Sequence, residues 1–385
     1  MPARVFLNPH RTAVPDAIAP DREPLAFHAR LPGYAPTPLV DAPSLAADLG
    51  IARLWVKDES HRLGLPAFKI LGASWATYRA LRERLAAPLA PWATAAELAE
   101  RFAPLRPLTL ATATDGNHGR AVAHVASLLG LGARIFVPAG AAQARLDGIA
   151  SEGAEVVIVD GGYDEAVARA AAEAGPRCLV ISDTSWPGYE DIPRWVAEGY
   201  STLFWEIEDA LATRGETGPD LVLVPVGVGA LAVAAARHYR RSGSVPSPLL
   251  VSVEPDHAAC ALASAAAGHL VSLPGPCDSI MAGLNCETPS EAAWPEVSAA
   301  YDAFLAIEDE RARESMRQLA AAGVTAGETG AAALGGLLAL VRDPAAAAAR
   351  AALEVGPSTR ALVICTEGAT DPAAYARIVG TAPRD

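Results

Sequence analysis

Lysine is nearly missing from this chain of 385 residues: Lys57 and Lys69 stand against 29 arginines. Any chemistry that needs a side-chain primary amine is thereby confined to two positions. Basic charge is also outnumbered, with 31 Lys and Arg against 44 Asp and Glu for a net charge of −13. That balance excludes a general nucleic-acid binder, whose phosphate contacts require a basic face. The five cysteines are odd in number and form no CxxC pair. Neither a disulfide framework nor a zinc knuckle is expected, and a reducing, cytoplasmic setting is the simpler expectation. The eight histidines show no HxxxH or HxE spacing, so no catalytic metal is expected. GxSxG is absent, which argues against a serine hydrolase. The longest apolar run, LVLVPVGVGALAVAAA between Asp220 and Arg237, is interrupted by Pro225, Gly227 and Gly229. It falls short of the roughly 18 residues a bilayer span needs. The first twenty residues lack the apolar stretch of a signal peptide, and no membrane partner is expected.

What is present is material for a large core. The chain is 51% hydrophobic and 19% charged, long enough for about two to three domains. Short apolar runs of strand character lie at 53–57, 108–112, 133–138, 154–159, 178–182, 221–226, 249–254 and 361–366. Helix-compatible, Ala-rich stretches separate them at 69–86, 94–103, 117–130, 141–152, 163–174, 192–214, 230–241, 308–322 and 328–341. Strands without polar alternation imply burial on both faces, as in a parallel sheet covered by helices. The fold class is therefore α/β, with two sheets, since eight strands in one would be generous. Residues 1–36 read as an irregular lead-in, and DPAAAAARAAL (343–353) as a helix with an irregular start.

Three strand-to-helix junctions could carry chemistry, because ligands of such sheets bind where strands end and helices begin. In VPVGVGALAVAA (224–235), Gly227 and Gly229 precede an Ala-rich helix, a geometry suited to a phosphate. A plain tight turn explains two glycines equally well, for GxGxxG is not completed and no Walker lysine follows. In LATATDGNHGRAVAHVA (110–126), Asp115, Gly116, Asn117, His118 and Gly119 crowd one turn, more than a helix cap requires. His118 reads there as fixing the turn rather than as a base. In LPAFKILGASWA (65–76), Lys69 stands among Phe68, Ile70 and Leu71 at a helix start. A snorkelling surface lysine is the plain explanation; a desolvated amine able to attack a carbonyl is the functional one. An amine kept where arginine is otherwise preferred favours the second. Lys57, beside Asp58 and Glu59, reads as an ion-paired strand end.

Taken together, FK(69)xxGA, DGNHG and GVGAL resemble the fold-type-II pyridoxal-phosphate enzymes, the threonine dehydratase and cysteine synthase group. The nearer likeness is to the 2,3-diaminopropionate ammonia-lyases. It extends through YAPTPLV (34–40), KDESHRLGLPAFKILGA (57–73), ATDGNHGR (113–120), DTSWPGYEDIPRWVAEGY (183–200), VEPDHAACALASA (253–265), SIMAGLNCETP (279–289), GETGAAAL (327–334) and TEGATDP (366–372). The resemblance implies pyridoxal 5'-phosphate as cofactor and Lys69 as the Schiff-base lysine, with Phe68 walling the ring. It implies that Asn117 bonds the ring's 3'-oxygen and that Gly227, Val228, Gly229, Ala230 and Leu231 cradle the phosphate. It places Thr366, an uncharged hydroxyl, against the pyridine nitrogen.

Asp115 separates the relatives, since dehydratases usually carry a small residue there. A carboxylate within about 4 Å of a substrate ammonium attracts it by roughly 4 kcal/mol at an effective dielectric of 20, before desolvation. The resemblance implies elimination of ammonia from 2,3-diaminopropionate to give pyruvate and two ammonia. Lys69 would act as base toward the L enantiomer and Asp115 toward the D enantiomer. Asp183 is expected as a supporting carboxylate for the substrate; capping a strand end would explain it as well. Family geometry further implies a large, mostly parallel sheet domain from residues 1–76 and 187–385. A smaller open αβ domain would be inserted at 77–186, with the active site in the cleft and a homodimer as the assembly. Cys260 and Cys286 read as buried thiols, with a redox-sensitive pair as a second reading. The rival functions are a serine/threonine-type dehydratase or other β-eliminating lyase on the same fold and, more distantly, a non-catalytic binder of a phosphate ligand.

Overall fold

The computed structural model of the chain describes residues 3–12, 21–114, 116–241 and 247–383. These residues form two compact units. The first comprises 1–21, 36–61 and 203–385, the second 22–35 and 62–202.

The first unit is built on seven strands. In chain order they are β1 (Arg4–Leu7), β2 (Leu39–Asp41) and β3 (Arg53–Asp58). Four of the second unit follow: β4 (Thr109–Ala113), β5 (Gly132–Pro138), β6 (Glu155–Val159) and β7 (Cys178–Val180). The last four, again of the first unit, are β8 (Leu221–Pro225), β9 (Leu249–Pro255), β10 (Ala303–Ile307) and β11 (Arg360–Cys365). The larger sheet runs β1-β10-β9-β8-β11-β3-β2. Its five inner strands are parallel, and the short edge strands β1 and β2 pair antiparallel. β8 and β10 are buried along their whole length, as strands covered on both faces must be. The covering helices include Ala332–Arg342, whose Leu334, Leu337 and Leu338 join Leu223, Val253, Ile307 and Val363 in one core.

The second unit carries the four-stranded sheet β6-β5-β4-β7, parallel throughout. Two sheets of mostly parallel strands match the α/β expectation, and each of the eight anticipated strands is present. β10 was not anticipated, and the lead-in is not irregular: it holds β1 and the helix Glu23–His28. The units differ from the expected 77–186 insertion, because residues 22–35, 62–76 and 187–202 group with the smaller sheet. Close packing explains this. A Cβ at Gly199 would lie 2.5 Å from the carbonyl oxygen of Leu71 and 2.9 Å from the Cα of Gly72. The helix Lys69–Arg84 is thereby seated on the start of the helix Asp191–Thr213. Among the described residues, no single helix is long and apolar enough to cross a membrane.

Candidate active site

In the second unit, Lys69 opens its helix directly after Phe68. Its ammonium lies 5.6 Å from the centroid of the Phe68 ring, within cation–π range. Phe68 in turn lies 4.6 Å from the ring of Tyr200, which is fully buried. The side chain of Lys69 keeps 20% of its surface exposed, and its Nζ donates to Asp183 Oδ2 at 2.7 Å. This is not a snorkelling surface lysine. Asp183 is itself buried, at the end of the segment that follows β7, and accepts from the Tyr163 hydroxyl at 3.5 Å. Burial alone would raise its carboxyl, but the Lys69 ammonium and the His118 ring outweigh that and hold it well below the usual carboxylate range. Burial raises the Tyr200 hydroxyl, so it stays protonated at neutral pH.

The turn before the helix Asn117–Leu129 is closed by Thr114, whose Oγ1 accepts from the amides of Gly116 (2.9 Å) and Gly119 (3.1 Å). These are amides at a helix start that the helical ladder leaves without acceptors. Asn117 is the first residue of that helix and half-buried. His118 is buried, and its Nε2 lies 2.8 Å from the Ile181 carbonyl, so it anchors the helix to the end of β7. Asp115 lies outside the described residues.

In the first unit, β8 runs into Val226–Gly229 and then the helix Ala230–Tyr239. Gly229 has φ +107°, a left-handed conformation that side chains other than glycine rarely adopt. A Cβ at Gly227 would lie 3.1 Å from the Gly283 carbonyl and 3.2 Å from Cys286 Sγ. The turn is therefore backbone brought up close, with the helix's first N–H groups beyond it. Val228, Cys260 and Cys286 pack together beside it, and neither cysteine forms a disulfide among the described residues. Gly283 donates to Thr329 Oγ1 at 3.1 Å, and Thr366 Oγ1 donates at 3.5 Å to the Thr329 carbonyl. The GVGAL, SIMAGLN, GETG and TEGAT segments thus meet within this unit, and Thr366 is buried there. Val228, Ala230 and Leu231 are buried as well.

Sequence reasoning missed Tyr200, Tyr163 and the capping role of Thr114. It also placed Lys57 as a strand-end ion pair with its acidic neighbours. The structure pairs Lys57 with Glu206 at 2.7 Å, both nearly without exposure.

Comparison with known proteins covers stretches of both units. The model of the family described as "Pyridoxal-phosphate dependent enzyme" matches residues 30–367. The diaminopropionate ammonia-lyase of Salmonella typhimurium is 36% identical over 370 residues, covering 93% of this chain and 91% of that one. The crystal structure of the Escherichia coli diaminopropionate ammonia lyase in complex with D-serine superposes with a TM-score of 0.90 at 33% identity. It covers 98% of this chain and 96% of that one. The same enzyme in complex with an aminoacrylate-PLP azomethine reaction intermediate gives a TM-score of 0.87 at the same identity and coverage.

Proposed function

We propose, from the premise that this chain belongs to the pyridoxal-phosphate dependent enzyme family, that it eliminates ammonia from 2,3-diaminopropionate. The observation that carries this reading is the Lys69–Asp183 pair: a primary amine in a chain with two lysines, walled by Phe68 and held by a buried carboxylate. The residues present fit the cofactor. Lys69 supplies the amine that would hold it, and Gly227 through Leu231 supply a turn where a Cβ has no room and backbone N–H groups can meet a phosphate. Thr366 would offer the pyridine nitrogen an uncharged hydroxyl, and Asn117 would reach the ring's oxygen. When bound, pyridoxal phosphate supplies the electron sink that makes the α-proton of an amino acid removable.

The chain's own residues then perform three tasks. Lys69, as a free amine, takes the α-proton of the L enantiomer, and Asp115 takes that of the D enantiomer. Such positioned bases contribute about 10²- to 10⁴-fold. Asp115 and Asp183 attract the cationic β-amine, where a neutral hydroxyl substrate would gain only a hydrogen bond of about 1 kcal/mol net. The departing ammonia leaves an enamine that water converts to pyruvate and a second ammonia. A homodimer is the assembly proposed with this reading; light scattering is expected to give twice the mass of the chain, and the mass of a single chain would remove it.

Pyruvate formation from D- and L-diaminopropionate, compared with serine and threonine, tests it. Either diamino enantiomer is expected to exceed both hydroxy amino acids in kcat/KM by at least tenfold. Faster turnover of threonine or serine would make the chain a dehydratase instead. Asp115→Asn is expected to lower activity on the D substrate at least tenfold more than on the L substrate, and equal losses would remove the two-base assignment.

A further inference from the structure

Lys69 is poorly arranged for a base. An ammonium 2.7 Å from a buried carboxylate is stabilised as an ammonium, and an ammonium accepts no proton. For the amine to act, one proton must be lodged elsewhere without leaving Asp183 as a buried, unpaired anion. Among the described residues, His118 is placed for that. His118 is 4% exposed, and its Nε2 faces the Ile181 carbonyl at 2.8 Å. A carbonyl only accepts, so Nε2 carries the hydrogen, and the neutral ring has its lone pair on Nδ1. That Nδ1 is buried with no hydrogen-bond partner among the described residues and lies 4.0 Å from Asp183 Oδ2, the oxygen that also receives Lys69. Buried polar atoms are rarely left so, and a lone pair aimed at a carboxylate becomes favourable only when it binds a proton. The ring is free to do this because the Ile181 carbonyl, anchored to β4 by the Ile181 amide on the Ala111 carbonyl at 2.8 Å, fixes its orientation.

We propose that His118 is a positioning residue that stores the proton Lys69 must give up, so that Lys69, Asp183 and His118 hold one exchangeable cationic charge among them. In the transfer, an Nζ–H bond breaks and its electron pair becomes the amine lone pair. The proton passes along the Asp183 carboxylate and forms a bond to Nδ1. The trio keeps its net charge, with the cation moved from Lys69 to His118. Once Lys69 has taken the substrate's α-proton, the stored proton leaves with the departing ammonia as ammonium, and the trio returns to its starting state. The groups facing His118 are Asp183 and Lys69, with the Tyr163 hydroxyl on the far oxygen of Asp183 and the Tyr200 ring packed on Phe68 beside Lys69. Burial first, and then the charge of Lys69, hold the ring below its ordinary value against the pull of Asp183. Removing the ammonium should therefore release it. The inference rests on the reading of Lys69 as the base.

The test is nitrogen NMR of the full chain labelled at histidine, with the His118 signals identified by their loss in His118→Gln or His118→Asn. In Lys69→Ala the ring is expected to titrate about 1 to 3 units higher than in the unaltered chain, and Lys69→Ala with Asp183→Asn is expected to cancel that rise. An unchanged titration in Lys69→Ala, or a neutral ring carrying its hydrogen on Nδ1, overturns the proposal. In the loaded enzyme, His118→Gln is expected to move the acid limb of kcat for the L substrate at least one unit toward alkaline pH with KM little changed. The D substrate's limb should stay in place. Equal losses on both enantiomers would mean that His118 only supports the fold. If Lys69→Ala keeps the cofactor's absorbance, the functional reading itself fails, whatever the ring does.

Discussion

At the scale of single residues, the two lysines show how one geometry serves two ends. Both Nζ atoms lie 2.7 Å from a carboxylate. Lys57 and Glu206 have side-chain exposures of 1% and 2%. Thr37 serves both: its carbonyl accepts from Lys57 at 2.9 Å, and its amide and hydroxyl donate to Glu206 at 3.2 and 3.5 Å. Both charges are met by buried groups of the protein itself. Removing one member strands a buried charge, so Glu206→Ala is expected to cost about 3–5 kcal/mol of stability in urea unfolding. Lys57→Met with Glu206→Leu should cost far less, and a double variant as unstable as the single one would contradict the account. Asp183 differs in carrying a consequence for pH. Its folded-state carboxyl is held below the unfolded value of about 3.9. Its contribution is thus fully present above that value and is lost as pH falls through the folded one. The urea midpoint of Asp183→Asn is expected to fall less between pH 6 and pH 3 than that of the unaltered chain, and parallel falls would rule this out.

At the scale of elements, the helix Asn117–Leu129 depends on one missing side chain. A Cβ on Gly119 would run into Thr114 Cγ2 and lie 2.5 Å from Ile135 Cγ2. Gly119→Ala must therefore push the helix start away from β4 and β5, at a cost of about 1–3 kcal/mol, and carry Asn117 and His118 with it. Urea unfolding should show that loss together with weaker cofactor retention on dialysis. Gly356→Ala, where nothing lies within 4 Å of the added methyl, should show neither. Such packing was only partly readable beforehand. The central strands announced themselves as unbroken apolar runs, because burial on both faces removes polar alternation. β10 escaped notice because AFLAI follows the Ala-rich helix Trp294–Ala300 and reads as its continuation. β1 and β2 are edge strands of four and three residues, whose pairing is set by the partner strand and not by their own pattern. The candidate residues divide in the same way, each within its own unit. Lys69, Asn117, the Gly227–Leu231 turn and Thr366 sit at strand-to-helix junctions that local pattern marks. The pairing of Lys69 with Asp183, 114 residues on, and the packing of Tyr200 on Phe68 have no local signature.

At the scale of the whole molecule, the scarcity of lysine becomes an experimental handle. The described side chains offer two amines, and their surroundings differ sharply. Lys57 is sealed against Glu206 with 1% exposure, whereas Lys69 keeps 20%. A carbonyl reagent must reach a neutral amine lone pair. At Lys57 that requires breaking a buried ion pair, and at Lys69 it requires only that the proton move to a neighbouring acceptor. Mild borohydride reduction of the folded chain in the presence of pyridoxal phosphate is therefore expected to fix one cofactor mass per chain on a lysine. Peptide mass spectrometry should place it on Lys69, with Lys57 unmodified until the chain is unfolded. The 29 arginines do not compete, because a guanidinium stays protonated throughout the accessible pH range. Modification of Lys57 in the folded chain, or loss of the Lys69 adduct without unfolding, would show that the exposed amine is not the one the cofactor meets. Retention of the Lys69 adduct in Asp183→Asn would show in turn that the carboxylate serves the chemistry and is not needed to present the amine.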